Sequence, residues 1–416
     1  MSEAPLAVTG AVLDGETVGV RCEAGRIVAI GPEVVARLGD ETLDAGGAPL
    51  VAPLLNGHTH AAMTLFRGSG GDLPLMPWLE ERIWPIEAKL DDEDVYWGAR
   101  LACAEMVRSG TTRFWDMYWR PQATARAVAD AGIRATIGAP LFDRDGNAAG
   151  LRETALRSLD QLGQLGPMVS PALAPHSIYT VSEDSLRWIA ALSAEREVPI
   201  QIHLAETERE VEDCLAAHGL RPAAYLDSLG MLSELTVLAH GVWLDAYELE
   251  LIADRGCTIV TNPTANMKLA VGATFPYPAA REAGVAVGLG SDGAGSNDSL
   301  DLLSDLKAFA LAQKHAAADP TAIDAAEAWA VATGARAPLL GAGALAPGEP
   351  ADFLLLHGDS PALGVGDLTA GLVYAAAGAV VDTAVVAGRV LMRGGEVPGL
   401  EEVVVQAAGR AGRLGL

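Results

Sequence analysis

The stretch "PLVAPLLNGHTH", residues 49–60, determines how the rest of the sequence is interpreted. A run of apolar residues leads into two histidines, His58 and His60, which are separated by one threonine. Residues i and i+2 of a strand point to the same face, so both imidazoles can converge on one point. Such convergence is typical of a metal site, and the alternative is a polar strand end with two unrelated histidines.

Seven further apolar, β-rich runs follow along the chain. They read "GTTRFWDMY", "IRATIGAPL", "MVSPALAPH", "VPIQIHLAE", "LTVLAHGV", "CTIVTNP" and "VAVGLGSDG". Between them lie helical patterns such as "SEDSLRWIAALSAERE", which opens on a residue suited to cap a helix. Eight strand–helix alternations predict an α/β fold, a (β/α)8 TIM barrel.

The parts of the chain outside this alternation have other patterns. Both chain ends alternate short strands with glycine turns, and neither makes a convincing core alone. We therefore predict one small β-sandwich domain formed by both ends. Residues 61–109 form a long insertion after the first run. Its stretch "GDLPLMPWLEERIWPIEAKL", rich in proline and tryptophan, is predicted to be a loop and a short helix over the barrel mouth. The predicted domains are residues 1–52 with 347–416 for the β domain and 53–346 for the barrel.

Composition limits the class of protein. Half of the 416 residues are apolar, and 29 basic against 54 acidic residues give a net charge of −25. This charge argues against nucleic acid and anionic membranes as partners, because both favour basic surfaces. The four cysteines form no C-x-x-C pair, and no apolar run reaches the length of a membrane span. We expect a cytoplasmic protein with a small-molecule substrate, and a homo-oligomer stays open.

Histidines concentrate at the ends of the predicted strands. Five of the eight are found there, namely His58, His60, His176, His203 and His240. Asp292 lies at the end of the eighth run. Because the carboxyl ends of barrel strands meet at one rim, these side chains should converge. Five buried histidines at one rim are difficult to explain by core packing, so we predict a metal site.

The donor types indicate which metal would bind. His58, His60, His203 and Asp292 offer three nitrogens and one oxygen, which suits zinc, with iron as the alternative. We expect one divalent transition metal per chain, because none of the four lysines stands at a strand end where a carbamylated lysine could bridge two ions. A bound metal lowers the pKa of its water from ~15.7 toward ~7.

Two further residues at the strand ends suit proton transfer. Glu206 follows His203 by three residues and can move a proton from the water to a substrate nitrogen. The alternative for Glu206 is a helix N-terminal carboxylate that the helix dipole stabilises. His240 can hydrogen-bond the hydroxide or a tetrahedral oxyanion. The predicted catalytic residues are therefore Glu206, His240 and Asp292.

Several segments resemble the amidohydrolase superfamily. They are "NGHTHAAMTLFRG", "DLPLMPWL", "APHSIYTVS", "HLAET", "LAHGVWL", "NPTANMKLA", "GLGSDGAGSNDSLDLL" and "GALAPGEPADFLLL". The similarity is greatest to the methylthioadenosine/S-adenosylhomocysteine deaminase branch, with chlorohydrolases as near relatives. It covers nearly the whole chain.

The resemblance also implies roles for single residues. The matches to the metal ligands, the proton shuttle and the histidine beside the metal-bound water are His58, His60, His203, Asp292, Glu206 and His240. Glu87 of "WPIE" matches the glutamate that grips ribose hydroxyls, and His176 of "APHS" matches a substrate contact. A solvated helix carboxylate is the alternative for Glu87. Relatives that accept S-adenosylhomocysteine carry arginines after the third strand, and neither Arg144 nor Arg152 aligns clearly with them.

Together these features predict hydrolytic deamination of an adenosine-type nucleoside to its inosine analogue and ammonia. The candidates are adenosine, 5′-methylthioadenosine and S-adenosylhomocysteine. The first alternative is an aminohydrolase or chlorohydrolase acting on guanine, a pterin or a triazine, and Glu87 argues against it because it suits a ribose. The second is a non-catalytic scaffold, but such proteins typically lose ligands, and here the set is complete.

Overall fold

A computed structural model describes residues 4–69, 73–143 and 146–416. Its strands fall into one eight-stranded sheet and two four-stranded sheets. In chain order the strands are β1 Leu6–Leu13, β2 Glu16–Glu23, β3 Arg26–Gly31, β4 Glu41–Asp44, β5 Leu50–Val51, β6 Leu54–Thr59, β7 Thr111–Met117, β8 Arg134–Leu141, β9 Val169–Pro175, β10 Ile200–Leu204, β11 Thr236–His240, β12 Thr258–Thr261, β13 Ala286–Leu289, β14 Phe353–Leu356, β15 Val381–Val386 and β16 Arg389–Met392.

Helices connect the strands of the large sheet and cover its outside. They are α1 Leu75–Trp78, α2 Trp84–Glu87, α3 Asp92–Arg108, α4 Pro121–Ala131, α5 Ala148–Leu162, α6 Glu183–Arg196, α7 Glu208–His218, α8 Pro222–Ser228, α9 Ala246–Asp254, α10 Pro263–Lys268, α11 Tyr277–Ala283, α12 Ala294–Asn297, α13 Leu302–Ala317, α14 Ala325–Ala332, α15 Leu368–Tyr374 and α16 Leu400–Leu414. Shorter turns are the 3-10 helices Ala61–Phe66, Pro338–Leu340 and Gly378–Val380 and the π-helical turn Leu79–Ile83. Within the described ranges no helix is both long enough and apolar enough to cross a membrane.

The eight-stranded sheet is the predicted barrel. Strands β6 to β13 pair in chain order, and every pair is parallel. Each of the eight apolar runs contains one of these strands. The first and last strands meet at the rim, where Asp292 N donates to His58 O at 3.1 Å and Thr59 Oγ1 donates to Asp292 O at 2.8 Å. The predicted fold class is therefore confirmed.

The two smaller sheets come from both ends of the chain. Their strand orders are β3-β2-β1-β4 and β16-β15-β14-β5. One buried cluster joins Leu6, Val8 and Val20 from the N-terminal end with Phe353 and Val385 from the C-terminal end. The two ends therefore contribute to one shared core. The exact domain boundaries stay a prediction.

The segment after β6 has two parts. The part from α1 to α2, where the sequence predicts a loop and a short helix, is made of short helical turns. Asp92–Arg108, for which the sequence analysis made no separate prediction, is a 17-residue helix that packs against α4. The helix begins at a capping box, in which Asp91 and Asp94 each accept the other's backbone N–H. Three acidic residues in its first turn add favourable charge at the positive end of the helix dipole.

Candidate active site

The carboxyl ends of the barrel strands deliver the predicted polar side chains to one rim. His58 lies in β6, His203 lies in β10, and His240 is the last residue of β11. His60 directly follows β6, and Asp292 stands three residues after β13. The strand-end argument therefore located all five residues at the same end of the barrel.

The histidine rings surround the carboxylate of Asp292. His60 Nε2 lies 3.2 Å from Asp292 Oδ1, and His58 Nε2 lies 3.5 Å from the same oxygen. The ring centres of His58 and His60 are 4.9 Å apart, and so are those of His58 and His203. Two groups of potential ligand atoms each fall within 4.8 Å: one from His58, His60 and His203, and one from His58, His240 and Asp292.

Backbone carbonyls orient two of these rings. His60 Nδ1 donates to Met117 O at 2.6 Å, and His203 Nδ1 donates to His176 O at 2.7 Å. A carbonyl oxygen can only accept, so the hydrogen on each ring belongs to Nδ1. Each Nε2 is thus available as a ligand, in the arrangement that metal-binding histidines usually adopt.

The donor set fits a divalent metal. His58 is fully buried, and within the described part of the chain neither of its ring nitrogens has a hydrogen-bond partner. Burial lowers the pKa of His58 to about 4, which keeps its lone pair free. Burial also lowers the pKa of His60, but the Asp292 carboxylate outweighs it and raises the value to about 9. Without a metal, His60 Nε2 would therefore hold a second ring proton beside the Asp292 carboxylate, and a bound metal cation would take the place of that proton.

Asp292 is held in place by its own loop. Its backbone φ of 60° lies in the left-handed region, which non-glycine residues adopt rarely. Ser296 Oγ donates to Asp292 Oδ2 at 2.5 Å and leaves Oδ1 toward the histidines. Sequence reasoning missed Ser296, because a serine in a glycine-rich loop carries no sign of its partner.

Glu206 and His240 stand beside the histidine cluster. The Glu206 side chain is buried, and this burial raises the pKa of its carboxyl group above the ordinary value. His240 Nε2 lies 3.8 Å from Glu206 Oε2. The other ring nitrogen, Nδ1, donates to Asn266 Oδ1 at 2.8 Å and fixes the ring. The raised pKa makes the Glu206 carboxyl group better suited to hold a proton that it has accepted and then passes on.

One pocket contains the predicted substrate-binding residues together with the cluster. Its lining includes His60, Glu87, His176, His203, Glu206, His240 and Asp292. The segment from α1 to α2 contributes an apolar wall of Leu75, Trp78, Leu79, Ile83 and Trp84. Burial raises the pKa of Glu87, which sits at the end of this wall. The expectation that this segment covers the barrel mouth agrees with its place in the lining.

The sequence analysis did not decide whether Arg144 or Arg152 contacts the substrate, and the structure describes only Arg152. Arg152 is exposed on α5, where its guanidinium lies 5.3 Å from the centre of the Trp188 ring. It is not among the described residues that line the pocket. Arg144 lies outside the described residues.

Aromatic rings form a further wall that sequence reasoning missed. Trp119 stacks on Phe142 with ring centres 5.3 Å apart, and Phe142 stacks on His176 at 4.7 Å. Trp119 stands two residues after β7, and Phe142 directly follows β8. The strand-end position that located the histidines would also have located both rings.

The whole arrangement has counterparts among known proteins. The model of the amidohydrolase family matches residues 50–391, which is most of the chain. The chain belongs to the amidohydrolase family. The resemblance inferred from the sequence is therefore confirmed, and members of this family are hydrolases that use a divalent metal.

Two curated relatives and one solved structure show which kinds of amidohydrolase the chain resembles. A 5′-deoxyadenosine deaminase of Methanoregula boonei is 46% identical over 89% of this chain and 86% of its own length. A 5-methylthioadenosine/S-adenosylhomocysteine deaminase of Archaeoglobus fulgidus is 41% identical over 92% of this chain and 91% of its own. The zinc-bound structure of an adenosine deaminase from Xanthomonas campestris matches with a TM-score of 0.89 at 32% identity, covering 99% and 98% of the two chains.

Proposed function

We propose that this amidohydrolase deaminates an adenosine-type nucleoside, giving the inosine analogue and ammonia. The observation that carries the proposal is the lining of one pocket. It contains Glu206 and Glu87 together with His60, His203 and Asp292 of the proposed metal site. The cluster provides the means of hydrolysis, and Glu87 provides a carboxylate suited to a ribose. Relatives named as deaminases of adenine nucleosides support the same substrate class.

The proposed metal ligands are His58, His60, His203 and Asp292. We propose a single divalent ion per chain, zinc or iron, because three nitrogens and one oxygen suit these metals. The zinc in the related adenosine deaminase structure supports zinc. When bound, the metal would supply a water molecule of lowered pKa near neutral pH.

Glu206 and His240 carry the proposed proton and charge chemistry. Glu206 takes one proton from the attacking water, whose oxygen bonds to the amino-bearing carbon of the substrate, and passes that proton to the adjacent ring nitrogen. The second water proton goes to the amino group, and the C–N bond breaks to release ammonia. The burial of Glu206 suits this role, because the raised pKa brings the carboxyl group closer to working pH. Asn266 holds the His240 ring through Nδ1, and the proposed role of Nε2 is to hydrogen-bond the attacking oxygen, as an acceptor from the water in the neutral ring and as a donor to the oxyanion once the ring has gained a proton.

Glu87 and His176 carry the proposed recognition. The Glu87 carboxylate can accept hydrogen bonds from the two neighbouring hydroxyls of a ribose. His176 lies in the stack with Phe142 and Trp119, which gives the pocket a flat aromatic side suited to a purine nucleoside. A guanine, pterin or triazine has no ribose and offers Glu87 no pair of hydroxyls to bind.

A substrate screen tests the proposal. Purified protein with its metal content measured is assayed for ammonia release from adenosine, 5′-deoxyadenosine, 5′-methylthioadenosine and S-adenosylhomocysteine. Guanine, a pterin and a chlorotriazine serve as comparison substrates. We expect turnover of at least one adenine nucleoside at a kcat/KM well above that of every comparison substrate. Turnover of a comparison substrate alone would contradict the nucleoside assignment.

A further inference from the structure

A second buried glutamate, Glu210, follows Glu206 by four residues and contacts the Glu206 backbone. Glu210 is in the first turn of α7 and is 7% exposed. Across the described ranges no lysine, arginine or histidine forms an ion pair with it. A buried carboxylate without a cation must be held by hydrogen bonds, because its desolvation is costly.

The partners of Glu210 are the two backbone amides that precede α7. Glu210 Oε1 accepts from Ala205 N at 2.8 Å, and Oε2 accepts from Glu206 N at 3.0 Å. Ala205 has a positive φ of 49°, a conformation that is strained for a non-glycine residue. Trp243 N donates to Ala205 O at 2.9 Å and holds the same turn from the other side.

This pattern departs from ordinary helix capping. Thr207 caps α7, because its Oγ1 accepts a hydrogen bond from Glu210 N at 3.2 Å. A glutamate at this position usually accepts a hydrogen bond in turn from the backbone N–H of the capping residue. In α9 Glu248 does so, accepting Asp245 N at 3.3 Å. Glu210 reaches instead to the two residues before Thr207. The Glu210 carboxylate therefore stabilises the turn that carries Glu206, and it does not complete the capping box of α7.

We propose that Glu210 is a positioning residue that fixes the backbone turn at Ala205 and Glu206, and thereby the place of the Glu206 carboxylate in the pocket. Glu206 needs a fixed position relative to the substrate nitrogen, because proton transfer depends steeply on geometry. The proposal rests on the proposed function for its effect on turnover. Its structural part, the position of the turn, does not depend on the substrate.

The test compares two glutamine variants of matched carboxylates. Glu210→Gln leaves one acceptor oxygen for two amides, so we expect kcat to fall by about 10- to 100-fold with KM changed less than about threefold. Metal content should equal that of the wild type. Glu248→Gln is the control, because Glu248 is also a buried capping glutamate that accepts two backbone amides. Unlike Glu210 it also pairs with Arg221, and none of its partners lines the pocket. It should lower the melting temperature with little change in kcat.

Crystal structures of the wild type and Glu210→Gln separate the two proposals. A displaced turn at Ala205 and Glu206 in the variant is expected. If the wild type deaminates no adenine nucleoside but the turn moves, the proposed function fails and the positioning role stands. An unmoved turn, or wild-type kcat in Glu210→Gln, would overturn the positioning role. Should Glu210→Gln not fold, Glu210→Asp takes its place, since the shorter side chain cannot reach both amides and the same losses are expected.

Discussion

At the scale of single residues, Glu206 is central because the proposed hydrolysis needs a group that carries a proton from water to the ring nitrogen of the substrate. We predict that Glu206→Gln lowers kcat by about 10²-fold or more, because an amide cannot accept and release that proton. Elemental analysis should still find the wild-type metal content, because Glu206 is outside the proposed ligand set. Glu208→Gln, an exposed neighbour, is the control and should behave as the wild type. A fully active Glu206→Gln enzyme would remove Glu206 from the mechanism.

Glu87 is the residue on which the nucleoside assignment depends. Hydrogen bonds to a buried charged group contribute roughly 1.5–3 kcal/mol each. We therefore expect Glu87→Ala to lower kcat/KM for an adenosine-type substrate by about one to three decades, at ~1.4 kcal/mol per decade. The loss should be much smaller for a 2′,3′-dideoxy analogue, which has no hydroxyls for Glu87 to bind.

Both substrates are measured with both enzymes, and Glu81→Ala serves as a control because Glu81 is exposed on the same segment. Equal losses for the two substrates would make Glu87 a structural residue and weaken the case for a ribose.

Much of the candidate site could be predicted from the sequence, because parallel strands bring their carboxyl ends to one rim. His58, His60 and Asp292 were located by this argument alone. In contrast, Ser296 and Glu210 act through hydrogen bonds to one carboxylate and two amides. Such partners depend on loop conformation, and no spacing rule in the sequence reveals them.

At the scale of elements, the barrel strands were predictable and the segment after β6 was only partly so. Each strand is a short apolar run bounded by turn residues, a local pattern that sequence shows directly. Helix α3 is less apparent, because its apolar residues face several partners: α4, the turn Ala61–Phe66 and α16 all pack against it. The contact with α16 joins residues more than 300 positions apart, which no local pattern can indicate.

The contact between α16 and α3 yields a stability prediction. Arg413 Nε donates to Asp94 Oδ1 at 3.0 Å, and Asp94 is fully buried. We predict that Arg413→Ala lowers the free energy of unfolding by about 1–2 kcal/mol, because a buried carboxylate loses its main cation while Arg413 itself is partly exposed. Paired thermal denaturation scans would show this as a lower melting temperature.

Arg157→Ala is the matched control for this prediction. Arg157 forms an exposed pair with Glu153 one turn away on α5, and such pairs contribute about 0.5 kcal/mol or less. If the two variants melted at the same temperature, the contact between Arg413 and Asp94 would not stabilise the fold.

At the scale of the whole molecule, the fold separates structural and chemical tasks. The chain ends make a shared β core, whereas the proposed chemistry is confined to the rim of the barrel. The net charge of −25 agrees with a small-molecule substrate better than with nucleic acid. The whole proposal depends on how much metal binds and on which metal it is, because each proposed catalytic residue either is a proposed metal ligand or lies beside the ligands.

Stepwise reconstitution of the metal-free enzyme tests this central claim most directly. Protein stripped with a chelator receives zinc in fractions of an equivalent, and the deamination rate of its best adenine nucleoside is followed together with bound metal. The four proposed ligands predict no activity without metal and a rate that rises linearly to a plateau at one equivalent per chain. Full activity in the metal-free protein, or a plateau only at two equivalents, would contradict the single-metal account.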